Sequence, residues 1–223
     1  MSDHDTPPAA DPRSGAPPDE TRRRLVRTML VAPIALAVPG VLGHALAPGA
    51  PLAAPLVPTP ACGDDDDDEP TPRQTEGPYF TPNSPQRRSL LEPGLAGTRL
   101  VVTGMVLTRA CRPVAGALVD FWQCDDAGDY DNAGYRLRGH QFTDARGAYR
   151  LETIVPGLYP GRTRHIHVKV QAPRQPVLTT QLYFPDEPRN RRDRIFHPEL
   201  VLRVADGGQG ARAGRFDFVL DVE

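Results

Sequence analysis

Two histidines one residue apart, His165 and His167, are the residues of this chain best placed to do chemistry. In a strand, alternate side chains share a face, so both imidazoles point the same way with Cα atoms ~6.6 Å apart. Their ring nitrogens can then converge on one ion, while Ile166, Val168 and Val170 fill the opposite, core-facing side. Taken alone, the pair suits a polar outer face shared with Lys169 equally well. Two tyrosines extend it. Tyr159 stands in the stiff turn Leu158-Tyr159-Pro160-Gly161 just before the histidines, and Tyr130 in the loop Gly128-Asp129-Tyr130-Asp131-Asn132. A phenol is a weak ligand at neutral pH because its pKa is ~10, but a trivalent ion nearby favours the phenolate strongly. Two anionic hard oxygens with two imidazoles suit Fe(III) better than Zn(II) or Mg(II). They would cancel two of its three charges and leave a Lewis acid with room for a bound molecule. A zinc hydrolase would want a catalytic Glu near the histidine pair, and none is evident there.

The elements that must carry these residues read as strands. Short apolar alternations run over Leu100–Thr108, Leu118–Gln123, Tyr149–Ile154, Arg164–Gln171, Leu178–Phe184, Leu200–Val204 and Phe216–Val222, with Gly, Pro, Asn and Asp between them. No helix of ten residues stands out. The pattern predicts an all-β fold, a β-sandwich of mostly antiparallel strands with long loops. Arg112 to Gly116 reads as the turn of a hairpin between the first two strands. Cys124 to Gln141, Pro156 to Thr163 and Pro185 to Pro198 read as long connections, the last carrying Arg189, Arg191, Arg192 and Arg194. Loops on a rigid sheet are where chemistry tends to sit. Val119 and Phe121 fall on one face of their strand, and Trp122, on the other, reads as packing.

The organisation divides three ways. Residues 1–46 form a signal region: Arg22-Arg23-Arg24-Leu25 precedes an apolar run from Met29 to Leu46, interrupted by Pro33, Pro39 and Gly40. A positive flank followed by a modest apolar stretch predicts export, and the arginines resemble the twin-arginine signal. Residues 47–72 form a Pro/Ala/Asp-rich linker in which Asp64 to Glu69 make a block of acids that repel one another and read as a solvated tether. Cys62 after Pro60-Ala61 is a candidate for lipidation, and so for a membrane tether, although Thr59 departs from the usual lipobox. Residues 73–223 form the folded domain. Cys111 and Cys124 lie at opposite ends of the expected hairpin, ~20 Å apart, beyond the ~7 Å that a disulfide tolerates. A net charge of −2 and the absence of a basic stripe argue against a nucleic-acid partner.

Four motifs in order, Thr75-Glu76-Gly77-Pro78-Tyr79-Phe80, Val119-Asp120-Phe121-Trp122-Gln123, Gly157-Leu158-Tyr159-Pro160 and Arg162-Thr163-Arg164-His165-Ile166-His167, resemble the intradiol ring-cleavage dioxygenases. The resemblance implies Tyr130, Tyr159, His165 and His167 as ligands to Fe(III), with Tyr159 the one displaced by substrate. It implies Arg162 as the guanidinium beside the reacting ring, Gln181 as its hydrogen-bonding companion and Tyr79 as an aromatic near the pocket mouth. Tyr135 competes for the place of Tyr130, in a setting that matches the motif less well. The substrates implied are a catechol-type small molecule and O2, and the product a cis,cis-muconate-type diacid. No stretch matches the helical region by which cytoplasmic members dimerise, so the resemblance carries no oligomeric state. A different class of reading is a non-catalytic extracytoplasmic β-sandwich resembling transthyretin-like binding modules. It leaves the tyrosine and histidine constellation unexplained.

Overall fold

The computed structural model describes residues 69–223. The expected signal region, the expected linker up to Asp68 and Cys62 lie outside the described residues. Nine strands form: β1 (Arg99–Thr108), β2 (Leu118–Trp122), β3 (Arg138–Phe142), β4 (Ala148–Ile154), β5 (His165–Gln171), β6 (Leu178–Tyr183), β7 (Arg203–Gly208), β8 (Ala211–Arg215) and β9 (Phe218–Leu220). Two short 3-10 helices, Pro188–Arg191 and Pro198–Leu200, interrupt the connection after β6. One sheet has the order β4-β1-β8-β7, with β9 beside the far end of β1, and the other the order β3-β2-β5-β6. They pack as a β-sandwich around Leu100, Val102, Leu151, Phe121, Val168, Leu182 and Phe218. All pairs are antiparallel except β1 with β8 and with β9.

The strands form where period-2 alternation can bury one face. Along β1 the pattern runs exposed or half-buried, then buried, with Leu100, Val102 and Val106 inward. In the second sheet Val119, Phe121, Ile166, Val168 and Val170 face the core, so Trp122, His165, His167 and Lys169 must face outward. That outward face is not left bare. Residues 71–90 lie across the molecule as a strap, bonded through the Gln74 amide to Thr179 O, the Arg87 amide to His140 O and the Leu90 amide to Glu152 O.

Several sequence expectations change. β1 and β2 are not a hairpin: they belong to different sheets, because after β1 the chain bonds back on itself at Val114 and then crosses the sandwich. The connection expected from Cys124 to Gln141 is shorter, since Arg138–Phe142 pairs with β2 as β3 despite its Gly and polar residues. Leu200–Val204 is not a strand; a 3-10 turn there gives way to β7, which forms a hairpin with β8, unforeseen because Gly-rich 203–215 lacks apolar alternation. The last strand shortens to Phe218–Leu220, and Asp217 just before it is buried, accepting from Met105 N and Arg215. Cys124 is a buried free thiol, in line with the expectation that it does not bridge to Cys111, and Cys111 is disulfide-bonded.

Candidate metal centre

The outer face of the second sheet carries one transverse row. Arg138 of β3 stands opposite Trp122 of β2, Trp122 opposite His167 of β5, and His167 opposite Gln181 of β6. Directly paired residues in antiparallel strands project to the same side, so four residues far apart in sequence line up across the sheet. His165 projects from the same face one alternation earlier, and both imidazoles are 3% exposed.

The two rings meet as the strand spacing predicts, with Nε2 atoms 3.1 Å apart. His165 Nδ1 donates to the carbonyl of Thr163 at 2.7 Å, which fixes its tautomer and leaves Nε2 as a bare lone pair aimed at the site. Burial, helped by the Arg162 charge, pulls the His165 pKa down to about 4. Burial, then the neighbouring His165, holds His167 well below its ordinary value. Both rings are therefore neutral at neutral pH, the form in which imidazole ligates a metal. His167 Nδ1 is buried without a hydrogen-bond partner.

The tyrosines come from two loops that touch each other. The backbone at Gly157 lies against the other loop, its amide donating to Asp125 O at 2.6 Å. A Cβ on Gly128, whose φ is +96°, would stand 2.7 Å from Leu158 O. This close approach brings Tyr130 and Tyr159 ring to ring, centroids 5.7 Å apart. Tyr130 Oη lies 3.3 Å from His165 Nε2. Burial holds its phenol well above the ordinary value, against the opposing charges of Arg162 and Arg138, so ionising it needs a strong cation close by. Tyr159 Oη shares a 2.7 Å hydrogen bond with Tyr79 Oη, and Tyr79 stacks on Tyr130 with centroids 4.5 Å apart and planes at 16°. Tyr79, half-buried, thus adjoins both candidate tyrosine ligands. Tyr135 is exposed and bonds Pro82 O instead.

Arg162 and Gln181 are bonded to each other, guanidinium Nη2 to amide Oε1 at 2.7 Å. Arg162 Nε donates to Asp193 at 2.8 Å, which also accepts from the Thr163 amide at 2.9 Å. Gln181 Nε2 donates to Thr75 O of the strap at 2.9 Å. The same turn opens on a cleft of about 410 Å³ lined by Leu158, Pro160, Arg162, Arg189, Arg192 and Asp193.

Among the described residues no three of His, Cys, Asp or Glu gather as a metal-binding group, so an ion at this place must draw on the phenols. Two neutral imidazoles whose Nε2 atoms converge, one with a fixed tautomer, plus a phenol 3.3 Å away and a second beside it, fit a hard trivalent cation.

Sequence reasoning missed three contributors. Trp122, read as packing, is buried, and its partner in that packing is His167, with centroids 4.8 Å apart and planes at 8°. Asp193, the anchor of Arg162, lies in a loop whose fold no local pattern announces. Arg138 falls within the connection expected from Cys124 to Gln141 and instead opens β3. Trp122 and Arg138 become visible only when strand register is known.

A family model described as Dioxygenase matches residues 75–222. The protocatechuate 3,4-dioxygenase beta chain of Burkholderia cepacia is 37% identical over 118 residues, covering 45% of this chain and 50% of that protein. The catechol 1,2-dioxygenase of Candida albicans is 28% identical over 179 residues, covering 66% and 59%. The chain spans about half the length of the curated relatives it matches. Among solved structures, the dioxygenase domain of a dioxygenase carbohydrate-binding protein fusion from Streptomyces sp. SirexAA-E superposes with a TM-score of 0.68 at 60% identity, covering 70% of this chain and 100% of that one. Hydroxyquinol 1,2-dioxygenase from Pseudomonas putida DLL-E4 gives a TM-score of 0.62 at 26% identity, covering 69% and 67%.

Proposed function

The chain belongs to the intradiol ring-cleavage dioxygenase family, and on that premise we propose that it holds ferric iron and uses O2 to open catechol-type diols between their hydroxylated carbons. The product is a cis,cis-muconate-type diacid. One observation supports this above all: the bare Nε2 of His165 meets His167 Nε2 at 3.1 Å and the Tyr130 hydroxyl at 3.3 Å, with both histidines buried and aromatic rings stacked beside them.

Tyr130, Tyr159, His165 and His167 would hold the metal. Ferric iron, when bound there, supplies Lewis acidity and redox capacity towards a deprotonated diol and O2. The rest falls to the chain. Tyr159 is placed to take a proton from the entering diol, and its bond to Tyr79 gives the resulting phenol a partner at 2.7 Å. Arg162, held by Asp193 and Gln181, keeps a fixed positive charge beside the ring where negative charge develops. The stacked rings of Tyr79 and Tyr130, with Trp122 behind His167, exclude bulk water.

The arginine-led apolar stretch of the N-terminal region supports export by the twin-arginine route. Retention of the protein in the cytoplasmic fraction, unaltered by Arg22→Lys with Arg23→Lys, would remove that part of the proposal.

The central test is turnover. Iron-loaded protein is incubated with catechol, protocatechuate and hydroxyquinol, and muconate-type absorbance is followed. At least one diol is expected to react, and the loaded protein to be red-brown from phenolate-to-iron charge transfer. Tyr159→Phe and His167→Ala should each alter the band and impair turnover. Survival of both colour and activity in both variants would refute the ligand assignment.

A further inference from the structure

Arg138 is 1% exposed, yet its three hydrogen bonds go to neutral main-chain carbonyls: Nη1 to Tyr79 O at 2.5 Å, Nε and Nη2 to Asp131 O at 3.2 and 2.7 Å. Burying a cation against neutral acceptors is costly, and burial does depress the Arg138 pKa. Packing alone does not account for it, since an apolar side chain would fill the space at less cost.

The two carbonyls identify what the charge does. One belongs to Tyr79, on the strap; the other to Asp131, the residue after Tyr130, on the loop following β2. Both β1 and β2 lie between these segments in sequence, yet their aromatic rings stack at 4.5 Å. Arg138 itself is fixed from below, on β3 opposite Trp122, in the row that ends at His167 and Gln181. A planar fork with several donors can hold two backbones at a set spacing, which a single ammonium cannot.

We propose that Arg138 is a positioning residue: its guanidinium clamps the Tyr79 and Tyr130 segments together, and so sets the stack that points the Tyr130 hydroxyl at His165. Its consequence for turnover rests on the dioxygenase reading; its consequence for the stack does not.

The full chain is compared with Arg138→Met and Arg138→Lys. The first readout needs no metal: nuclear Overhauser contacts between the Tyr79 and Tyr130 rings, with thermal melting as the check on folding. The Met variant is expected to melt cooperatively and lose the inter-ring contacts; the Lys variant should weaken them at least twofold, by the loss of one of the two bridged carbonyls. In the iron-loaded protein with catechol, kcat should fall at least about tenfold in the Met variant while KM moves less than about threefold, the signature of mispositioning rather than lost binding. Inter-ring contacts unchanged in a folded Met variant would overturn the proposal. Should that variant not fold, unchanged contacts in the Lys variant would do the same. A wild-type protein that takes up no iron or opens no diol overturns the functional reading alone, and the ring contacts still decide the role of Arg138.

Discussion

The indole of Trp122 lies face to face with the imidazole of His167, centroids 4.8 Å apart and planes 8° from parallel. The two candidate ligand histidines are thus oriented by different forces. His165 is held by a hydrogen bond from Nδ1 to Thr163 O. His167 has no such bond at Nδ1, and its ring is set by the stack; a Cβ on Gly77 would come within 3.5 Å of its Cε1. Phe80 meets the Trp122 ring edge-on, with centroids 4.9 Å apart.

Trp122→Leu should therefore loosen His167 selectively. Release of iron to a chelator is expected to quicken by about tenfold or more, in the range seen when groups orienting a ligand are removed. Trp122→Phe, which keeps a stacking face, should stay close to wild type. Equal release rates in all three proteins would show that the stack does not orient the ring.

Asp193 anchors Arg162 and carries a pH signature. Burial raises its carboxyl, but bonds from the Thr163 amide and Arg162 outweigh this and leave the pKa below the ordinary value. A depressed carboxyl contributes stability that is present above the unfolded value of ~3.9 and lost as pH falls through the folded one. Asp193→Asn should cost about 1–3 kcal/mol at pH 7 and flatten the decline in melting temperature below pH ~4. Turnover of diols should fall with it, because Arg162 loses its anchor; an unchanged kcat/KM would sink that link.

Cys124 gives the opposite limb. Burial pushes its thiol up to about 11, so the unfolded chain ionises first, near ~8.5. Its share of stability is whole below that value and is lost as pH rises through the folded one. Between pH ~8 and ~10.5 the wild type should lose about 2 kcal/mol more than Cys124→Ala in urea melts, as linkage requires. Native protein should also resist alkylation at pH ~8, since the thiolate is the nucleophile.

Gly128→Ala tests the contact that joins the tyrosine loops. The new Cβ meets Leu158 O at 2.7 Å in backbone with φ +96°. Destabilisation of about 1–3 kcal/mol is expected from overpacking and strain. Iron-dependent colour should shift as well, because Tyr130 and Tyr159 are forced apart. A variant as stable as wild type, with an unchanged band, would mean that the loops do not rely on this approach.

The non-catalytic sandwich considered from sequence gains nothing from the site: a docking module has no use for two neutral imidazoles buried to 3% exposure and ringed by phenols.

The sequence by itself determined what is local. Period-2 alternation placed His165 and His167 on one face with Ile166, Val168 and Val170 opposite, because a strand has that geometry whatever surrounds it. It determined the all-β class, since seven apolar runs without helical periodicity leave few ways to bury them. It also supplied the residue types of the candidate centre, through motifs whose spacing is fixed along the chain. Pairing was decided only by the tertiary structure. Whether β1 turned back onto β2 or crossed to the other sheet depended on which faces could be buried together, and a turn-like Arg112 to Gly116 is compatible with either. The row Arg138–Trp122–His167–Gln181 exists only once four strands have chosen register, and a slip of one residue would have sent each of those side chains into the core. Tyr79, Arg138 and Asp193 reached the site by contacts between segments distant in sequence, and no local periodicity encodes such contacts.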